Sequence, residues 1–364
     1  MTRLADRLPD FPWDRLAPYG EVARSHPGGI VNLSVGTPVD PVPAVVQEAL
    51  AAATDWPGYP TNWGTPALRD AICRWAGRTL HADLDHANVL PTVGSKELVS
   101  LLPLLLGLGA DDTVVIPEIA YPTYDIGARI SGSRIVVSDS TLALGPERVS
   151  LVWLNTPSNP TGRVLGVEHL AKVVEWARSR GAVVASDECY FELGWDAEPV
   201  SILDPRVNGG SLEGVLAVHS LSKRSNLAGY REGFVLGDPA IVGSLLEARK
   251  HMGLMVPGPV QDASIAALDD DVHVAEQRAR YGARRLRLRR ALESAGFTIE
   301  HSEAGLYLWS TRGENCWDTV RWLSERGILV APGEFYGAAG HLFVRIALTE
   351  TDERIDAAVE RLAI

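Results

Sequence analysis

The sequence has little cysteine, no long apolar run and a deficit of positive charge. Its three cysteines, Cys73, Cys189 and Cys316, are scattered through 364 residues. None are spaced as C-x-x-C, so neither a metal site nor a disulfide framework is expected, and a reducing cytoplasm fits this usage best. The longest apolar stretch, Leu98–Leu108, is interrupted by Pro103 and Gly107 and is too short to span a bilayer. The opening residues, MTRLADRLPDFPWDRL, lack the continuous apolar segment of a secretory leader. With 34 Lys and Arg against 46 Asp and Glu, the formal net charge is −12. Such a chain repels nucleic acid and anionic membranes unless a basic patch is segregated. The one basic cluster, Arg284–Arg290 (RRLRLRR), reads as a solvated helix face with Leu286 and Leu288 interleaved, and no nucleic-acid or membrane partner is expected.

What is present is a large globular repertoire, 46% hydrophobic, enough to bury a sizeable core. No internal repeat or low-complexity linker divides it. Short β-rich runs at 88–93, 113–116, 134–137, 150–154, 182–186, 215–220 and 233–236 alternate with amphipathic stretches. One of these is Val167–Arg180, with Leu170, Val173, Val174 and Ala177 on one side. Repeated strand and helix imply an α/β fold with a mostly parallel seven-stranded sheet covered on both faces. Ligands of such sheets sit beyond the carboxyl ends of the strands. After about residue 270 the pattern becomes a long charged helix followed by short strands and helices, with Thr351 as an N-cap. The expected organisation is a large domain over 41–270, a smaller α+β domain over 271–364, and residues 1–40 packing with the smaller one.

Four junctions carry chemistry. Ser220-Leu-Ser222-Lys223-Arg224 follows an apolar strand and precedes Gly229, Tyr230 and Arg231. A lysine there forms a Schiff base readily if a low-dielectric pocket and cationic neighbours depress its pKa. A loop lysine at the surface has the same sequence signature. Ser186-Asp187-Glu188-Cys189-Tyr190 follows the strand AVVAS. A carboxylate about 4 Å from a pyridine nitrogen, at an effective dielectric near 20, attracts the protonated ring by about 4 kcal/mol, or about three pKa units. A plain loop acid is the alternative. Asn155-Thr-Pro-Ser-Asn159-Pro160-Thr-Gly162 is turn chemistry, with Asn159 free to bond a phenolic oxygen. Val93-Gly94-Ser95-Lys96-Glu97 closes a strand and opens a helix, where free N–H groups suit a phosphate.

Each junction is ordinary alone, but their order in one chain is not. From LSVGTPVD at Leu33 to FVRIALTETDERI at Phe343, the sequence resembles the class I/II aminotransferases, pyridoxal-phosphate enzymes of fold type I. The resemblance implies pyridoxal 5'-phosphate as cofactor, held covalently by Lys223. Asp187 would partner the pyridine nitrogen, Tyr190 and Asn159 the phenolic oxygen, and Tyr121 the ring face. Ser95, Lys96 (through its backbone N–H), Ser220 and Arg231 would form the phosphate cup. Tyr59 would reach the phosphate of a neighbouring subunit in a homodimer with shared sites. Gly36 and Arg345 would meet the substrate, with the planar fork of Arg345 on its α-carboxylate. A cis bond is expected at Asn159–Pro160.

The stretches FPWDRL at Phe11, GYPTNWGTPALR at Gly58, VLPTVGSKELV at Val89 and PEIAYPTYDIGAR at Pro117 make the whole-chain pattern most similar to N-succinyldiaminopimelate aminotransferases of the actinobacterial type. This implies an N-succinyl-LL-2,6-diaminopimelate donor and a 2-oxoglutarate/glutamate couple. Such carboxylate-rich substrates need a second cationic anchor, for which Arg15, Arg249, Lys250 and His251 are the candidates. Transaminases for aspartate, alanine or aromatic amino acids, a cofactor-sharing C–S lyase or cyclopropane-forming synthase, and a non-catalytic cofactor-binding module are the alternatives.

Overall fold

The computed structural model describes residues 3–145 and 148–363. In chain order its strands are β1 (Val31–Asn32), β2 (Val89–Thr92), β3 (Thr113–Ile116), β4 (Arg134–Val137), β5 (Val149–Asn155), β6 (Val183–Asp187), β7 (Val215–Ser220) and β8 (Gly233–Gly237). They are followed by β9 (Thr298–Glu300), β10 (Tyr307–Thr311), β11 (Ile328–Leu329), β12 (Ala331–Pro332) and β13 (Phe343–Ala347). Strands β2 to β8 form one seven-stranded sheet in the order β2-β8-β7-β6-β5-β3-β4. The pairs β3–β4, β3–β5, β5–β6 and β6–β7 are parallel, and β8 runs antiparallel to both β2 and β7. The α/β class and the seven-stranded, mostly parallel sheet expected from the sequence are therefore found.

Side-chain alternation explains why the sheet is covered on both faces. Val115, Val152, Leu154, Val184, Val215 and Ala217 join one core with Leu68, Ile72 and Trp75 of the helix Pro66–Thr79 and Leu170 of the helix Val167–Arg178. Their neighbours Val114, Leu151, Trp153, Ala185, Leu216 and Val218 join a second core with Leu98 and Leu102 of the helix Ser95–Leu105 and Tyr124 of the helix Thr123–Ser131. At roughly 1.5–3 kcal/mol per buried aliphatic or aromatic side chain, these two layers dominate the favourable side of folding.

A third core lies around the sheet β12-β13-β10-β9. Leu16, Ala23, Val31 and Leu33 belong to it, and β1 pairs in parallel with β11, so the early chain is tied to the late one.

The helix Val272–Ser294 corrects one sequence reading. Its basic run is not a solvated face: Arg284 is 1% exposed and Arg285 5%. Arg284 donates to both carboxylate oxygens of Asp40 at 2.7 Å and to Asp352 at 3.0 Å. Arg285 pairs with Asp196 and donates to the Ser302 carbonyl at 2.9 Å. Leu288 is buried, while Leu286 is exposed. The acidic partners come from segments tens to hundreds of residues away, which helix periodicity cannot reveal. Burial pushes the Asp40 carboxyl up, but bonds from Arg284 and Gln277 outweigh it and hold the pKa below the ordinary range. These charges are spent within the chain. No helix among the described residues is long and apolar enough to cross a membrane.

Candidate active site

The four junctions converge beyond the strand ends of the large sheet. Strand β7 ends at Ser220, whose Oγ accepts from the Ser222 N–H at 3.1 Å and so caps the single turn Leu221–Arg224. That turn presents Lys223 towards Gly36, and its Nζ donates to the Gly36 carbonyl. The chain has four lysines, Lys96, Lys172, Lys223 and Lys250, and only Lys223 is not exposed. Burial lowers its pKa, and the charges of Arg345 and Arg231 add to that, against opposition from Tyr307 and Cys189. A larger fraction of neutral amine follows, as nucleophilic chemistry requires.

Strand β6 ends at Asp187, which is 6% exposed. Its Oδ2 accepts from the Tyr124 hydroxyl at 2.9 Å and its Oδ1 from the Cys189 N–H at 3.2 Å. Burial still raises the carboxyl's pKa despite these bonds. A cation beside it, such as a protonated pyridine nitrogen, would favour its ionised form.

Strand β5 ends at Asn155, which fastens the next turn. Its amide donates to the Asp187 carbonyl at 2.9 Å and its Oδ1 accepts from the Asn159 N–H at 2.6 Å. The Asn159–Pro160 bond is cis, as expected, and so is Thr156–Pro157. Asn159 is thereby aimed at Arg345 of β13, whose Nη1 donates to Asn159 Oδ1 at 2.9 Å. The Nη2 of Arg345 donates to the Ser34 carbonyl at 2.6 Å, and its guanidinium lies 4.0 Å from the ring centre of Tyr307. Arg345 is 3% exposed.

Strand β2 leads through Gly94 into the helix Ser95–Leu105. Gly94 has φ +73°, and a Cβ there would lie 2.3 Å from Nη2 of Arg231, so only glycine lets the guanidinium cross the helix start. Arg231 itself adopts φ +61° and donates to the Ala228 carbonyl at 2.9 Å. Free N–H groups of a first helix turn, an arginine over them and the hydroxyls of Ser95 and Ser220 suit a phosphate. Lys96 is exposed. Glu97 braces this loop, accepting from the Val93 N–H at 3.2 Å and from the buried Arg249 at 2.6 Å.

Tyr121 is half-buried, edge-on to Tyr124 with centroids 5.7 Å apart, and burial pushes its pKa up to about 12. Tyr190 is buried, with its hydroxyl 3.1 Å from that of Tyr307. Burial and Tyr307 hold Tyr190 well above the ordinary phenol value. Tyr307 goes the other way: burial opposes its ionisation, but Arg345, Lys223 and the bond from Tyr190 prevail and lower its pKa. Gly36 completes the floor, since a Cβ there would lie 2.2 Å from the Tyr307 hydroxyl. A cavity of about 200 Å³ behind the Asn159 turn is lined by Asn155, Ser158, Arg163 and His301, but not by Lys223, Asp187 or Arg345.

Tyr59 stands apart from this cluster and is 95% exposed. Two of the four candidate anchors are committed elsewhere. Arg249 is fully buried against Glu97, and Lys250 pairs with Glu247 at 2.5 Å on the surface. His251 is exposed. Sequence reasoning missed Tyr124, Tyr307 and Tyr336. Tyr124, three residues after Tyr121 at a helix start, carried a usable signal; the other two did not.

Residues 28–362 match the family described as aminotransferase class I and II. The chain belongs to this family. Its cofactor is accordingly pyridoxal 5'-phosphate, which suits the half-buried lysine, the buried carboxylate and the glycine-lined anion cradle. Among relatives of this aminotransferase, 4-dedimethylamino-4-oxo-anhydrotetracycline transaminase OxyQ of Streptomyces rimosus is 60% identical over 98% of this chain and 99% of its own. A probable aminotransferase of Mycobacterium tuberculosis is 61% identical over 98% of this chain and 85% of its own. The LL-diaminopimelate aminotransferase of Gloeobacter violaceus is 32% identical over 98% and 96%. Among solved structures, an aminotransferase from Neisseria meningitidis superposes with a TM-score of 0.90 at 30% identity, covering 100% of this chain and 98% of its own. A probable N-succinyldiaminopimelate aminotransferase from Thermus thermophilus gives 0.86 at 28%, covering 97% and 99%.

Proposed function

We propose that this aminotransferase takes its amino group from a carboxylate-rich amino donor, N-succinyl-LL-2,6-diaminopimelate, and passes it to 2-oxoglutarate in the cytoplasm. The observation that carries the reading is the meeting of Lys223, Asp187 and Arg345, each held by partners from a different segment. Lys223 would hold the cofactor, Asp187 its ring nitrogen, Tyr190 and Asn159 its phenolic oxygen, and Tyr121 its ring face. Ser95, Lys96, Ser220 and Arg231 would hold the phosphate. When bound, pyridoxal 5'-phosphate supplies an electron sink for negative charge developing at the substrate Cα.

The chain's own residues do the rest. Arg345 receives the α-carboxylate through its fork, with Gly36 and Asn159 beside it, and so fixes the Cα–H relative to Lys223. The lysine amine, its neutral form made more available by burial, would be the base that takes the Cα proton onto Nζ, from which it is delivered away from Cα as amino transfer requires. Asp187, fixed by Tyr124 and the Cys189 N–H, would keep a positive charge on the ring nitrogen opposite. The aromatic walls Tyr121, Tyr190 and Tyr307 exclude water.

The diaminopimelate assignment is supported by the whole-chain resemblance, by the Gloeobacter relative and by the Thermus structure. A second reading rests on the 60% identity to the tetracycline transaminase: a polycyclic ketone as the amino acceptor. An assay of glutamate formed from 2-oxoglutarate, with N-succinyl-LL-2,6-diaminopimelate, aspartate, alanine and tyrosine as separate donors, tests the first reading. Preference for the succinylated donor supports it. Better use of a plain amino acid overturns it, and amination of a polycyclic ketone in preference to 2-oxoglutarate favours the second. The same proposal includes the division at about residues 40 and 270, and a homodimer in which the exposed Tyr59 reaches the partner's phosphate. A fully active monomer would refute the shared site.

A further inference from the structure

Several donors beside Arg345 have no acceptor among the described residues. Each terminal nitrogen of Arg345 uses one N–H, on Asn159 and on Ser34, and its buried Nε is unpartnered. Tyr336, 2% exposed, stands next to it, with the guanidinium carbon 4.9 Å from its ring centre. The Tyr336 hydroxyl is buried and unpartnered as well. Trp13 meets the Tyr336 ring edge-on, at 6.4 Å and 88°, and its buried indole N–H is also unpartnered. Buried donors without acceptors are costly and call for a ligand. An acceptor-rich substrate end beside Tyr336 and Trp13 would satisfy their two donors, and a carboxylate would do so with charge assistance.

Two residues beyond Trp13, in the turn Pro12–Leu16, lies Arg15. Its guanidinium sits 4.8 Å from the ring centre of Trp317 and 6.0 Å from that of Phe335, the neighbour of Tyr336. One oxygen of Glu334 lies 3.4 Å from both its terminal nitrogens, and the pair is about half exposed. The other Glu334 oxygen is taken by the Trp317 indole at 2.5 Å. This long, open contact positions Arg15 and leaves most of its donors free.

We propose that Trp13, Arg15 and Tyr336 form a subsite for the distal carboxylate of the substrate, while Arg345 holds the α-carboxylate. The inference rests on the aminotransferase reading and names the substrate class of the same site. It requires that the N-terminal segment be part of substrate recognition. Glutamate carries such a distal carboxylate, and alanine does not.

The test is single-turnover conversion of the cofactor-loaded enzyme by glutamate and by alanine, followed by absorbance, which gives kmax/Kd for good and poor donors alike. Wild type is compared with Arg15→Gln and with the conservative Tyr336→Phe. The expected result is a fall of about tenfold in the glutamate-to-alanine ratio for Arg15→Gln and of several-fold for Tyr336→Phe, the loss residing in Kd. A ratio within about twofold of wild type in both variants, or an equal loss for both donors, overturns the subsite and makes the turn a structural cap. A wild-type enzyme that converts no amino donor at all overturns the aminotransferase reading itself, a separate failure.

Discussion

Replacing Arg345 by lysine keeps the charge and removes the fork. In the structure the guanidinium makes two directed bonds at once, to Asn159 Oδ1 at 2.9 Å and to the Ser34 carbonyl at 2.6 Å, and lies against the faces of Tyr307 and Tyr336. A substrate carboxylate would draw on the same two-pronged geometry. Hydrogen bonds to charged groups contribute about 1.5–3 kcal/mol each, and a lysine ammonium can replace only one of the two in place. The loss is therefore about 1.5–3 kcal/mol, or roughly 10- to 150-fold in kcat/KM for the amino donor. Steady-state kinetics with several amino acids measures it, beside thermal unfolding to separate catalysis from folding. The loss should be of similar size for every donor, since all share the α-carboxylate. A variant that kept kcat/KM within about threefold of wild type while remaining folded would refute the assignment of Arg345 and the substrate orientation built on it.

Other outcomes follow from the same geometry. Lys223→Ala should lose turnover by several orders of magnitude, because the base is gone; near-normal transamination by the cofactor-loaded variant would contradict this. Tyr124→Phe removes the bond to Asp187 Oδ2 and should lower kcat by about three- to tenfold, at roughly 1 kcal/mol per bond, visible in single-turnover rates. Glu232 is fully buried, both its oxygens lack partners among the described residues, and burial holds its pKa well above the ordinary value. The folded protein then binds one more proton than the unfolded chain between those two pKa values. Stability from this group is complete at pH below the ordinary glutamate pKa. It falls as pH rises towards the folded pKa, by about 1.4 kcal/mol per pH unit. Glu232→Gln should remove that slope, so urea midpoints of mutant and wild type should diverge in the mutant's favour on the alkaline side; parallel curves would contradict it.

The large sheet was legible because its strands are short, near-continuous apolar runs set between amphipathic stretches. Thr113–Ile116, Arg134–Val137 and Val215–Ser220 lie where the pattern puts them. The direction of β8 was not legible, since nothing in GFVLG distinguishes a parallel from an antiparallel neighbour. Of the site, the junction residues Lys223, Asp187, Asn159 and Ser95 announce themselves at strand ends. Arg345 and Gly36 became visible only through the family resemblance. Tyr307 and Tyr336 did not, because an aromatic residue in or near a strand usually marks core, and what sets them apart is contact with residues distant in sequence: the Arg345 guanidinium lies over both rings, and the Tyr307 hydroxyl meets that of Tyr190. Arg284 and Arg285 misled for a related reason: their acidic partners are separated from them by tens to hundreds of residues, and a basic helix with unseen partners looks solvated.

On the proposed reading, Lys223 carries the cofactor. Reducing the cofactor-loaded protein with borohydride fixes the attached group, and mass spectrometry of the digest then locates it. The pyridoxyl-phosphate adduct is expected on the peptide containing Lys223, with Lys96, Lys172 and Lys250 unmodified. An adduct on any of those three, or none on Lys223, would contradict the account.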